Sequence, residues 1–414
     1  MAAPAAAMST WPRSLQLSGA PAGSGSDIAA QRLRAALQAQ GAQADWISPL
    51  QRCRAGEADR SSSALFWTRS ATTSRLLGRA LDRLDRRRNG IHLSITPGLR
   101  SGVLRRWQAD LIHLHWLGTG FLSLLSLGRL GKPIVWTLHD LWPVLGVLPY
   151  PAWGDAAPTG LGFDFDPLEV AIKQRAIPEG IQFIAPSPWA AQQAERSEVF
   201  QALRQPRPIA VIPNAVDPFF FEGPQESGPR RDPQRPLLLF GGSNAFSDPR
   251  KGWQLLAPLL PWLAREYPQW RCASFGELPP AGLHWPQPWQ HHGLIRDPRQ
   301  LAALYRSADL LVVPSQQETF GQVAAEAQAC GLPVVALADS GVGSVVQHLR
   351  SGLLLPQFTP EALQQGLRVL LEDPPLRQAL SVQARQRAAD HFHPQPVAAQ
   401  HLHLYGDVLA GTGL

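Results

Sequence analysis

Two carboxylates, Glu318 and Glu326, flank the small-residue run in ETFGQVAAEAQACG, directly after the apolar run DLLVVPS. Asp309 to Ser315 reads as a buried strand, Gln316 to Phe320 as the loop at its carboxyl end, and Gly321 to Cys330 as a helix stopped by Gly331 and Pro333. The first amides of such a helix, around Gly321, Gln322 and Val323, point out of its start and favour a bound phosphate. At a rise of about 1.5 Å per residue, Glu326 sits about 8 Å beyond the first turn, while Glu318 stands in front of it. The resulting order is carboxylate, anion site, carboxylate. It matches the hydroxyls, pyrophosphate and ribose diol of a sugar nucleotide, because an ionised carboxylate offers two acceptor oxygens. The bland alternative for this spacing is a pair of solvated surface glutamates.

The elements that must position these groups alternate between strand-like and helical runs, the pattern of parallel α/β sheets. LQLSG, DLIHLHW, PIVWTLHD, QFIAPS and PIAVIPN read as strands of a first half, with QRLRAALQAQG as its first clear helix. PLLLFGG, WRCASFG, the weaker HHGLI, DLLVVPS and PVVAL read as strands of a second. Two doubly wound domains follow, at residues 1–218 and 236–388, joined by a linker at 219–235 rich in Pro, Gly and charge. Helices follow Pro360, and residues 389–414 are expected to pack back on the first domain. Open α/β sheets bind ligands outside the carboxyl ends of their strands, so two such domains are expected to face each other across an interdomain cleft.

Composition excludes several classes. The 414 residues are 44% hydrophobic and 17% charged, enough apolar content for a large core and unlike a disordered or fibrous chain. The net charge of +6 is carried almost entirely by arginine, since Lys132, Lys173 and Lys251 are the only lysines. A basic surface suits nucleic acid, anionic lipid or acidic sugars alike, but no nucleic-acid module supports the first. Cys53, Cys272 and Cys330 are too scattered for a disulfide framework or paired zinc ligands, which points to a reducing compartment. The N-terminus lacks a basic region ahead of a sustained apolar run, and WLGTGFLSLLSLGRLG falls short of the roughly 20 residues of a spanning helix. A cytoplasmic protein is expected. Arg75, Arg79, Arg83 and Arg86 share one helical face opposite Leu77, Leu81 and Leu84, which reads as a solvated helix or, alternatively, as a peripheral contact with the inner face of an anionic membrane.

The uninterrupted succession ETFG, EAQACG and LPVVA resembles the signature of retaining glycosyltransferase family 4, nucleotide-sugar-dependent enzymes of the GT-B fold. HLHWLG, TLHDLWPVLG, FIAPSPWAAQQAERS, VIPNAVDPFF and LAALYRSADLLVVPS are similar to other elements of that family, in the same order. The resemblance implies a donor site at Arg250, Lys251, Glu318, Thr319, Phe320, Gly321, Gln322, Val323 and Glu326. Lys251 and Arg250 would hold the pyrophosphate, although Ser243 and Asn244 stand where many relatives place an arginine. His139, at the expected rim of the first sheet, would lie near the reaction centre, and His139, Lys251 and Glu318 are the residues it assigns to catalysis. Its alternative is a structural rim histidine. Gly19, Gly23 and Gly25 form a glycine-rich turn into the first helix, where relatives let phosphate or acceptor approach; the alternative is a flexible loop.

Other patterns carry less. Asp164-Phe165-Asp166 imitates a D-x-D metal motif but lies in a Gly- and Pro-rich loop. The pairs His113/His115 and His291/His292 lack acidic or cysteine companions at metal spacing and read as core or rim histidines. The segment VLPYPAWGDAAPTGLGFDFDP borders the acceptor side and lacks the cysteine common there, so no acceptor carries over. The expectation is a retaining transferase, with no metal and no cofactor, that moves a sugar from a nucleoside-diphosphate donor to a sugar, lipid or glycan hydroxyl in polysaccharide or glycoconjugate synthesis. The rivals are an epimerase or phosphorylase on the same fold, or a sugar-nucleotide-binding protein without turnover.

Overall fold

The computed structural model describes residues 11–48, 99, 101–118, 121–151, 164–223, 232, 234–282 and 289–411. The arginine-rich stretch around Arg75–Arg86 lies outside them, as do residues 224–231 of the expected linker. The chain divides into two compact units, Met1–Pro186 with Ala191–Ile212 and Ala398–Leu414, and Ser187–Ala190 with Pro213–Val397.

The first unit is built on a sheet of six parallel strands, β1 (Ser14–Leu17), β2 (Ala44–Ile47), β3 (Leu111–Leu114), β4 (Ile134–Thr137), β5 (Gln182–Ala185) and β6 (Ala210–Val211), in the order β2-β1-β3-β4-β5-β6. The second unit repeats the plan with β7 (Leu237–Gly242), β8 (Arg271–Gly276), β9 (Trp289–His291), β10 (Leu310–Val313), β11 (Val334–Leu337) and β12 (Gly352–Leu355), in the order β12-β11-β10-β7-β8-β9. Both are doubly wound Rossmann-like sheets. The strand order reverses between β1 and β3 in one and between β7 and β10 in the other, and ligands of such sheets bind at that point.

Alternation explains the apolar runs of the second sheet. Leu239, Leu311, Val313 and Val334 point into the core on one face, and Leu238, Phe240, Leu310, Val312 and Val335 into the core on the other. A parallel sheet covered on both faces needs apolar residues at every position. Burying each such side chain contributes roughly 1.5–3 kcal/mol. Strands β2 and β12 are absent from the runs read in the sequence, and β9 begins at Trp289, ahead of the HHGLI run. Phe220, within the segment read as a linker, is fully buried in the second unit's core beside Tyr305.

The helix after β10 spans Gln322–Ala329, one residue shorter at each end than the sequence suggests. Gly321 caps its start with φ 97°, a left-handed conformation that disfavours any side chain. Ala324, Ala325, Ala327 and Ala329 are all fully buried, and the helix packs against the long helix Pro374–Phe392. Its end is closed as the sequence predicts: Gly331 has φ 72°, its N–H donates to Gln328 O at 2.8 Å, and Leu332 N–H donates to Ala327 O at 2.9 Å.

Candidate active site

The reversal point between β7 and β10 gathers most of the residues assigned to a donor. Strand β7 ends in Gly241-Gly242, where a Cβ on Gly241 would come within 2.4 Å of the Phe275 carbonyl oxygen of β8. Only glycine lets the two strand ends lie so close. Above that end, Val323 of the helix start lies 3.6 Å from where a Gly242 side chain would begin, so the open helix N-terminus stands directly over β7. The amides at Gly321–Val323 are thus presented at the reversal point, as anion binding requires.

Arg250 and Lys251 lie on a single 3-10 turn, Pro249–Lys251, after β7. Asp248 caps that turn by accepting from Arg250 N–H at 3.0 Å, and its carboxylate also holds the Arg250 guanidinium through Nε at 3.1 Å and Nη2 at 2.6 Å. Burial alone would raise the Asp248 pKa, but the Arg250 guanidinium and backbone N–H, with the charge of Lys251, together keep the carboxyl below its ordinary value. The turn is docked on the end of β10: Gln316 N–H donates to Arg250 O at 2.8 Å, and a Cβ on Gly252 would sit 2.3 Å from Pro314 O. Lys251 is thereby carried to the loop after β10, where its Nζ is 2.5 Å from Glu318 Oε1. The Lys251 and Glu318 side chains are 28% and 18% exposed.

The loop itself is held from behind. Gly341 N–H donates to Glu318 O at 2.8 Å, and the Phe320 ring is buried edge-on against Phe392. Phe320 anchors the loop through its ring, and Thr319 is also buried. One turn and more along the helix, Glu326 is only 5% exposed and accepts from the Tyr305 hydroxyl at 3.3 Å. Around the helix start, Gln322 Oε1 and Nε2, Gln316 Oε1 and Ser340 Oγ are buried atoms without a hydrogen-bond partner. Buried polar atoms are nearly always satisfied, so the grouping of these four beside an open helix end suits a polar ligand.

His139 lies in the other unit, just past β4, beside the reversal point between β1 and β3. Its Nε2 is 2.9 Å from His115 Nδ1, with the two rings stacked. Burial, then the charge of His401, lowers its pKa to about 4. The next residue, Asp140, accepts from the Trp116 indole at 2.9 Å and from Trp142 N–H at 3.0 Å, tying HLHW to TLHDLW. Gly19 N–H donates to Trp116 O at 2.6 Å, and a Cβ there would meet Phe121 at 2.6 Å. Gly23 and Gly25 lead into the helix Gly25–Ala39, capped by Ser24. The Gly23 N–H already donates to Asp27 Oδ2 at 2.9 Å, so this turn holds a carboxylate of its own.

Asp166 of the D-x-D imitation starts a helix, Asp166–Ala176, and accepts from Val147 N–H at 2.8 Å, a loop-fixing role. Among the described residues, no group of three His, Cys, Asp or Glu side chains is arranged to hold a metal. Sequence reasoning passed over Lys173, which is fully buried and donates to the carbonyls of Trp142, Leu145 and Gly146 at 2.5, 2.8 and 2.7 Å. Burial draws its pKa down to about 7 against the pull of Glu169. Three carbonyls match three ammonium hydrogens, so we read it as charged. It fixes the segment that follows His139 and Asp140. Its rarity in a chain of three lysines was the one available signal.

Two Rossmann-like sheets, one in each unit, are the architecture of the GT-B class. The family described as Glycosyltransferase Family 4 matches residues 23–219, and that described as Glycosyl transferases group 1 matches residues 290–387. The D-inositol 3-phosphate glycosyltransferase of Segniliparus rotundus is 32% identical over 346 residues, covering 76% of this chain and 71% of that protein. In structure, the chain is similar to sucrose-phosphate synthase from Thermosynechococcus elongatus, with TM-score 0.64 and 21% identity over 97% of this chain and 100% of that one. It is also similar to Anabaena HepE in complex with UDP-glucose, with TM-score 0.58 and 16% identity over 96% and 100%. The chain belongs to glycosyltransferase family 4.

Proposed function

We propose that this glycosyltransferase takes its sugar from a nucleoside-diphosphate donor bound at the β7–β10 reversal point and passes it, with retention of anomeric configuration and without a resident metal, to an acceptor hydroxyl. The observation that carries the reading is the group of orphaned polar atoms beside the open end of the Gln322–Ala329 helix, with Lys251 and Glu318 in front and Glu326 behind. Amides at Gly321–Val323 and the Lys251 ammonium receive the diphosphate, Glu318 the sugar hydroxyls, and Glu326 the ribose diol. Arg250 plays a lesser part, because Asp248 engages its guanidinium.

The bond from the anomeric carbon to the diphosphate oxygen breaks, and its electron pair leaves with the diphosphate, whose growing charge Lys251 and the helix amides stabilise. The acceptor oxygen then attacks from the same face and passes its proton to the leaving phosphate. A UDP-sugar is the first donor to try, since a structural neighbour is a complex with UDP-glucose. The acceptor class is a sugar, lipid or glycan, with D-inositol 3-phosphate among the first candidates by the name of the relative. Among the described residues no helix is long and apolar enough to cross a membrane.

The test is a thermal-shift screen of UDP-, GDP- and ADP-sugars, then turnover of the stabilising donor with an acceptor panel in chelator. A product with the donor's anomeric configuration supports the reading. Inversion, or activity that chelator abolishes and a divalent metal restores, overturns the corresponding part.

A further inference from the structure

Within the second unit, the loop after β11 locks onto the loop that carries Glu318. Strand β11 lies beside β10 in the sheet, and beyond their ends Gly341 N–H donates to Glu318 O at 2.8 Å, while a Cβ on Gly341 would stand 2.4 Å from the Thr319 carbonyl carbon. A Cβ on Gly321, at the start of the Gln322–Ala329 helix, would stand 2.7 Å from Val342 Cγ2. Ser340 is thereby built in beside Glu318 and the helix start. It is 2% exposed, although Ala338 and Asp339 just before it are exposed, and its hydroxyl has no partner. A buried serine ordinarily turns its hydroxyl onto a nearby carbonyl, as Ser307 does toward Leu304 O at 2.7 Å.

Gln322, the first residue of the helix, has the same defect twice, since both Oε1 and Nε2 of its amide are buried without a partner. The two missing partners differ in kind. A diphosphate offers acceptors alone, so it can meet the Gln322 N–H groups but not Gln322 Oε1, which needs an O–H or N–H from the ligand. With the ribose diol at Glu326, the donors nearest the diphosphate are the hydroxyls of the transferred sugar. Ser340 adjoins Glu318, the residue proposed to receive those hydroxyls.

We propose that Ser340 and Gln322 are specificity-determining residues that recognise the hydroxyls of the transferred sugar, Gln322 bridging from diphosphate to sugar and Ser340 adding a contact beside Glu318. This rests on the reading of the β7–β10 reversal point as the donor site. The atoms concerned are buried, and rotation about one side-chain bond in Ser340 and three in Gln322 turns them onto a ligand with the backbone in place. A buried polar group without a partner weakens folding and is compensated only when a partner arrives, so stability and recognition pull in opposite directions at these two residues.

Urea unfolding of the full chain without nucleotide, beside calorimetric titration with UDP, GDP, ADP and the glucose conjugate of each, reads both directions. Ser340→Ala should unfold at a urea midpoint equal to or above that of wild type, bind the glucose conjugate about 3–10-fold more weakly, and bind the bare nucleoside diphosphate as wild type does. Gln322→Met, of similar size, should also match or exceed the wild-type midpoint and should weaken both ligands, the conjugate more. A lower midpoint in either variant means that the group is bonded within the protein, and overturns its assignment. Wild-type affinity for the conjugate in either variant, or an equal loss for both ligands in Ser340→Ala, overturns it too. A wild type that binds none of the six ligands instead fails the donor site, and the inference falls with it.

Discussion

Lys251 and Glu318, 67 positions apart in the chain, meet at 2.5 Å because the turn carrying the lysine is hydrogen-bonded to the loop carrying the glutamate. Without a donor the two charges neutralise each other, and a bound diphosphate sugar would divide them, phosphate to the lysine and hydroxyls to the glutamate. Lys251→Met and Glu318→Gln are each expected to lower kcat by about 100–1000-fold, the range for losing one group that meets transition-state charge. Both side chains are partly exposed, so unfolding free energy should change by no more than about 1 kcal/mol. Steady-state kinetics beside urea unfolding separates the two effects.

Gly252 and Gly321 are required by geometry. Each has a left-handed φ, 79° and 97°, and a Cβ would meet Pro314 O at 2.3 Å or Val342 Cγ2 at 2.7 Å. Gly252→Ala and Gly321→Ala should each destabilise the protein by at least about 1–3 kcal/mol, Gly252 more because it meets backbone. A urea midpoint within error of wild type would contradict the assigned loop conformations.

Lys173 bridges Glu169 and three backbone carbonyls in a site closed to solvent. Removing one partner of a buried pair leaves the other uncompensated, so Lys173→Met should cost about 3–5 kcal/mol. The double variant Lys173→Met/Glu169→Gln should recover part of that loss. Equal unfolding of the single and double variants would show that the pair is not coupled.

Acid should destabilise the first unit. His113, His115 and His139 are held below the ordinary value of 6.5, His139 at about 4, each chiefly by burial. As pH falls from about 6.5 towards 4, the unfolded chain takes up protons that the folded chain refuses, so stability is full above 6.5 and declines through that window. Thermal midpoints measured from pH 8 to 4.5 should fall more steeply for wild type than for His139→Gln. Parallel curves would contradict the assignment.

The sequence carried the plan of both sheets where strands sit inside them, because strands covered on two faces are unbroken apolar runs, as in LLLF and LLVV. It was silent on β2 and β12. Both are four-residue edge strands, ADWI with a charge in its middle and GLLL opening on glycine, and each is defined by pairing with a single neighbour. The glycine stop at Gly331 was legible because it is local. The partners of Glu318, Glu326 and His139 were not, since Lys251, Tyr305 and His115 reach them only through tertiary packing. Nor could alternation along β3 reveal that His113 and His115 belong to one hydrogen-bonded chain with a residue near the C-terminus.

Glu326 offers the most direct test. Its carboxylate is buried and accepts from the Tyr305 hydroxyl at 3.3 Å, and on the proposed reading it also receives the ribose diol of the donor. Calorimetric titration of wild type and Glu326→Ala with UDP, GDP and ADP should show one nucleotide binding the wild type and a loss of at least about 10-fold in affinity in the variant, as for a charged hydrogen bond worth 1.5–3 kcal/mol. Equal affinity in a variant that remains folded would contradict the placement of the donor on this helix.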